Sequence, residues 1–280
     1  MKKIILTTDF SENAWNAIFN ALKLYADVTC HFFLLHAYTP SNLNMLGAKS
    51  QQRLGVIYDS LSKYSQQELE EMYAYFQINN KNPKHKFTTV SKANTIEDAV
   101  NKLSIEEDID LIIMGTQGAT GAKEVFLGSN AVRVINTINN IPIITMPSGF
   151  NFQKLNTIFF ASNFTKPYKK SELEPIIELS KLWQATIEIV HVSIENNLND
   201  NQKANKVILK ERIVGLDYQF KIIPFEISIS KSLDIYIENK TSSILSIIRH
   251  QHTFWEKVLG EAVVKKIAFH SSLPVLFLPQ

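Results

Sequence analysis

The chain repeats itself once, and the repeat limits its fold before any single motif is considered. Lys3-Ile-Ile-Leu-Thr-Thr8 runs into Asp9-Phe-Ser11, and Asn156-Thr-Ile-Phe-Phe-Ala161 runs into Ser162-Asn-Phe-Thr165 in the same order. The apolar run ending His36-Ala37 is matched by Thr186-Ile-Glu-Ile-Val-His-Val192. Asn140-Ile-Pro-Ile-Ile-Thr-Met-Pro147 is answered by Ser272-Leu-Pro-Val-Leu-Phe-Leu-Pro279. The period is roughly 140 residues, so the chain reads as two copies of one unit. Residues 1–148 form the first and 154–280 the second, with Pro147 to Gln153 as linker by composition. Two such copies are expected to pack about a pseudo-two-fold axis, as a dimer would.

Within the first copy, short apolar runs alternate with helical spacing. Lys3 to Thr8, Thr29 to Ala37, Lys86 to Val90, Leu111 to Met114 and Pro142 to Met146 read as strands. Ser11 is placed to cap a helix carrying Ala14, Ile18, Ala21, Leu22 and Tyr25 on one face, and Thr95 to cap another. The polar stretch from Tyr38 to about Gly55 reads as a loop, followed by a long helix from about Ile57 to Gln77. Alternation of this kind predicts an α/β class with a parallel sheet and right-handed crossovers.

One stretch carries chemistry. Asp110-Leu-Ile-Ile-Met-Gly-Thr-Gln-Gly118 leads through a glycine-punctuated loop to Gly128-Ser129, where a helix begins with Ala131, Val134, Ile135 and Ile138 on one face. Glycines permit φ > 0 and close backbone approach, and a helix start offers unpaired N–H groups, so the stretch suits a phosphate chain. No Gly-Lys-Ser/Thr follows, and Gly-x-Gly-x-x-Gly is absent, so it is neither a P-loop nor a dinucleotide fingerprint. A strand-to-helix turn that binds nothing would also use glycine. The second copy bears on that choice: counting back from Gly260-Glu261 places His250 at Gly118 and Ile247 at Gly115, so the turn glycines are gone. Glu261 stands where a phosphate would lie, and Asn163 replaces Asp9. The expectation is one site, in the first copy.

These residues resemble the universal stress protein (UspA-like) superfamily, in its tandem-domain form, over essentially the whole chain. The resemblance is carried by Ile4-Ile-Leu-Thr-Thr-Asp-Phe-Ser11, Leu34-Leu-His-Ala37, Asp110 to Gly118 and Gly128-Ser129. It implies two flavodoxin-like, Rossmann-like domains of the adenine nucleotide alpha hydrolase-like kind, each a mostly parallel five-stranded sheet flanked by helices. It further implies ATP, with Mg2+ as a companion ion, bound through Thr8, Asp9, Ala37, Met114, Gly115, Gly118, Gly128, Ser129 and Asn130. In that family the acid matched by Asp9 lies near the adenosine, and the position of Ala37 offers backbone contact to adenine. Gly121 and Lys123 lie in the loop outside the signature.

Composition excludes other classes. A formal net charge of +2 with interspersed signs argues against a nucleic-acid footprint. No run approaches the roughly 20 apolar residues of a membrane span, and no signal peptide is legible, so a cytoplasmic protein is expected. The single cysteine, Cys30, lies in an apolar run and is expected to be a buried thiol. His36 and His191 end apolar strands as satisfied histidines, and His250 and His252 lack metal-ligand company. The resulting expectation is a nucleotide-binding stress or signalling module with little or no catalysis and no catalytic residues. A protein-interaction module, a weak ATPase, an unknown protein partner and a further homodimer stay open beside it.

Overall fold

β1 (Lys2–Thr7) shows why the sheet forms: Ile4, Ile5 and Leu6 are all fully buried, so apolar side chains leave both faces of one strand. Such a strand needs helices on each side, which is the condition for a covered parallel sheet. A computed structural model describes residues 1–40, 51–116, 128–193, 197–249 and 271–279. In chain order it continues α1 (Glu12–Leu24), β2 (Cys30–Ala37), α2 (Gln51–Asn79), β3 (His85–Lys92), α3 (Ile96–Glu107), β4 (Leu111–Gly115), α4 (Ser129–Thr137) and β5 (Ile143–Met146). Then follow β6 (Thr157–Ala161), α5 (Lys170–Trp183), β7 (Thr186–Ser193), α6 (Asp200–Arg212), β8 (Tyr218–Pro224), α7 (Ile229–Ile237), β9 (Ser243–Ile248) and β10 (Val275–Leu278).

All ten strands join one sheet in the order β3-β2-β1-β4-β5-β10-β9-β6-β7-β8. The order reads the same from either edge once each strand is replaced by its counterpart. Every neighbouring pair is parallel except β5 with β10, which meet antiparallel through Ile143 to Thr145 and Val275 to Phe277. Residues of α1, α2, α5 and α6 close the core on one face, those of α3, α4 and α7 on the other. Both cores run unbroken across the β5–β10 seam, through Ile144 and Leu276 on one side and Ile143 and Phe277 on the other.

The repeat extends to individual hydrogen bonds. Phe10 and Phe164 both take left-handed backbone, with φ of 66° and 55°. In the first copy Thr8 Oγ1 accepts from Phe10 N and Asp9 Oδ1 accepts from Ser11 N. In the second Ser162 Oγ accepts from Phe164 N and Asn163 Oδ1 accepts from Thr165 N. A non-glycine residue at positive φ is uncommon, so two at matching places report one inherited turn.

Three expectations are corrected or sharpened. The polar segment before Ile57 is not loop to its end, because α2 already begins at Gln51. Residues Pro147 to Gln153, read as a linker by composition, are tied to α1: Asn16 donates to the Pro147 carbonyl, Asn20 donates to that of Phe150 and accepts from Phe152 N, and Phe152 is buried. Third, strand register shifts the alignment by one residue. Gly115 pairs with Met146 as Ile248 pairs with Leu278, so Ile248, not Ile247, occupies the place of Gly115. The helix read around Trp255 to Val263 lies outside the described residues, as do His250 and His252.

Candidate functional site

The carboxyl ends of β1, β2 and β4 open on the same side of the sheet, and the chain leaves β1 and β4 in opposite directions there. That switch point is where open α/β sheets hold ligands. A cavity of about 310 Å³ lies at this place. Thr7, Thr8 and Asp9 line it from the end of β1, Ala37 from β2, and Met114, Gly115 and Thr116 from β4. Ile96 enters from the start of α3, and Gly128, Ser129, Asn130 and Ala131 from the start of α4. Eight of the nine expected residues are thus brought together: Thr8, Asp9, Ala37, Met114, Gly115, Gly128, Ser129 and Asn130. Gly118 lies outside the described residues, as do Gly121 and Lys123.

α4 supplies the positive end. Its N-cap is Gly128, which gives no side-chain cap, and its first turn carries no acid. Gly128 N–H donates to the Thr116 carbonyl at 2.5 Å and ties the start of α4 to the end of β4. The next N–H groups at a helix start have no intrahelical acceptor and carry the positive end of the macrodipole. Thr116 stands beside them. It is buried, and its Oγ1 has no hydrogen-bond partner among the described residues. A buried hydroxyl is normally satisfied, so an orphaned one on a cavity wall points to a ligand atom or water.

Of the two freedoms the sequence suggests for Gly115, positive φ and close approach, only the second is used. It has no positive φ; instead a Cβ there would come within 2.4 Å of Asn13 Nδ2 and 3.2 Å of the Asn13 carbonyl. The first turn of α1 lies directly against it. In the second copy α5 starts about one turn later, at Lys170, and the space is free for Ile248, which joins the core with Phe164 and Tyr168. Glycine at 115 is a packing requirement of the first copy, so its loss in the second does not by itself argue for a ligand. Gly128, at φ −58° and ψ 150°, also sits in backbone space open to any residue.

The turn that position 9 builds does not itself call for a charge. Asp9 Oδ1 accepts from Ser11 N at 3.1 Å and Ser11 Oγ at 2.5 Å, and Asn163 Oδ1 makes the same two bonds with Thr165. An amide therefore serves the turn as well as a carboxylate. Beside it, His36 Nδ1 lies 2.8 Å from Ser65 Oγ, which lies 2.7 Å from Ser91 Oγ. Burial pushes the His36 ring below its ordinary value, and Asp9 partly opposes that. His191 lies 2.9 Å from the Ser162 carbonyl and is likewise lowered by burial. In each ring Nδ1 is held by the fold.

Sequence reading missed Thr116, Thr7 and Ile96. Thr116 had a signal, a hydroxyl directly after the glycine that ends β4. Thr7 and Ile96 reach the cavity only because of which element ends meet, and no spacing announces them.

A parallel sheet with a switch-point cavity, lined by a helix start and a carboxylate, marks a doubly wound α/β protein. The chain belongs to the universal stress protein family, whose model matches residues 1–140. Among solved structures, a universal stress protein from Archaeoglobus fulgidus is 18% identical with a TM-score of 0.66, covering 99% of this chain and 96% of that one. A putative universal stress protein from Pseudomonas aeruginosa is 12% identical with a TM-score of 0.61, over 100% of this chain and 93% of that one. A protein of unknown function from Pseudomonas aeruginosa is 10% identical with a TM-score of 0.62, over 100% and 92%. At these identities the likeness is one of fold. No curated protein matches the chain. Among the described residues no helix is long and apolar enough to cross a membrane.

Proposed function

We propose that the chain binds an adenine nucleotide, ATP, in the cavity between β1, β4 and α4, and serves as a stress-response or signalling module with little or no turnover. The observation that carries this reading is the bare amino end of α4 at the cavity, beside the orphaned hydroxyl of Thr116. Phosphate oxygens would take the N–H groups of Ser129 and Asn130 and the Thr116 hydroxyl, and the adenosine would lie toward Asp9 and Ala37. Where Mg2+ accompanies the phosphates it would offset their charge; the residues above do the binding. The chain is read as two copies, 1–148 and 154–280, with the site in the first only and the whole in the cytoplasm.

A ligand bound to the folded chain alone stabilises it by about 2.7 kcal/mol at a hundredfold excess over Kd. Mg-ATP should therefore raise the melting temperature of the full chain. Gly118→Val should abolish the rise. Asp9→Asn should keep the turn, since Asn163 already builds it in the second copy, and should reduce the rise. An unmoved wild-type transition in millimolar ATP and ADP would overturn the reading. ATP turnover clearly above that of Gly118→Val would overturn its non-catalytic part.

A further inference from the structure

Arg249 follows the last residue of β9, and by strand register it holds in the second copy the position that Thr116 holds in the first. Its side chain is buried yet bonds to no acid among the described residues. It crosses the seam instead. Nη1 donates to the carbonyls of Ile135, at 3.2 Å, and of Ile138. Nη2 donates to the Ile141 carbonyl at 2.6 Å, and Nε to that of Leu278 at 3.3 Å. Three of the four acceptors belong to the first copy, and Ile135 and Ile138 are the last-turn and C-cap residues of α4.

The carboxyl end of a helix leaves up to four carbonyls without an intrahelical donor and carries partial negative charge. A guanidinium presents a rigid fork of donors that can satisfy several such groups at once. A buried cation without an acid is costly, and a ring of main-chain carbonyls at a helix end is an arrangement that offsets the cost. Burial lowers the group to about 10, which leaves it charged at neutral pH.

We propose that Arg249 is a positioning residue for the nucleotide site, clamping the carboxyl end of α4 so that its amino end stays set against the cavity. The proposal rests on the nucleotide reading above. α4 has nine residues, a length of about 14 Å at 1.5 Å per residue, and a helix so short is marginal without tertiary contacts. Movement of its far end is therefore carried to Ser129 and Asn130. The second copy, with a large cation where Thr116 would stand, supports the site of the first.

The test uses the full chain as wild type, Arg249→Met and Arg249→Lys, each checked for folding by circular dichroism. ATP affinity is measured by calorimetry at 25 °C, and amide hydrogen exchange of α4 is compared with that of α6, which is remote in the sheet order. Arg249→Met should bind ATP at least about tenfold more weakly, with faster exchange in α4 and unchanged exchange in α6. Arg249→Lys should recover part of both, and it carries both readouts, against wild type, if the methionine variant does not fold. Affinity within twofold of wild type, or equal acceleration in α4 and α6, would overturn the clamp. If wild type binds no ATP, the nucleotide reading fails by itself. Selective exchange in α4 then still supports the clamp, and its absence overturns it.

Discussion

Gly115 separates packing from ligand chemistry at the scale of one residue. A methyl group there meets the Asn13 side chain and main chain at once, so Gly115→Ala should destabilise by the cost of overpacking, about 1–3 kcal/mol. Asn13→Ala in the same chain removes the nearest atoms and should return part of that loss. Thermal melts of the two single variants and the double variant measure the coupling. If the double variant melts no higher than Gly115→Ala alone, the contact is not the reason for the glycine. The glycine motif itself was legible in the sequence, while its reason was not. Spacing reports that a side chain is missing, but which neighbour fills the gap depends on where α1 begins, and that differs between the copies.

Among elements, α4 is the one whose two ends do different work. Its amino end lacks a side-chain cap and an acid, which is a loss of helix stability that a ligand would offset. Ser129→Glu puts a carboxylate in the first turn. The apo protein should gain about 0.3–1 kcal/mol from the macrodipole, while the ATP-induced rise in melting temperature should disappear. Opposite signs in the two melts are the diagnostic; a retained ATP response would place the phosphates elsewhere. The strands and caps of the first copy were legible because each is a short apolar run beside a hydroxyl: Ser11 accepts from Ala14 N and Thr95 from Asp98 N, as their positions suggest. α6, β8 and α7 were not. In β8 only Ile223 is buried, and much of α6 faces water, so neither leaves a strong apolar period.

For the molecule as a whole, the histidines set an acid limit. His31, His36, His85 and His191 all lie below the ordinary value of 6.5, each chiefly through burial. The unfolded chain then binds more protons than the folded one at mildly acid pH, so stability is full above about pH 6.5 and falls as pH drops below it. Melting temperatures from pH 7.5 to 5 should decline, and a flat profile would contradict the burial of these rings. The two-fold relation of the halves was legible from the repeat, but the strand order and the joining of both halves into one sheet through β5 and β10 were not, because nothing in a strand's own residues names its outer neighbour. That seam has an evolutionary consequence. In a symmetric pair of identical chains every substitution enters both halves, and an arginine at the end of β4 would take the place of Thr116 in both halves together. With both halves in one polypeptide, each position can change on one side of the axis alone. Arg249 on one side and Thr116 on the other is a broken symmetry that two identical chains could not keep.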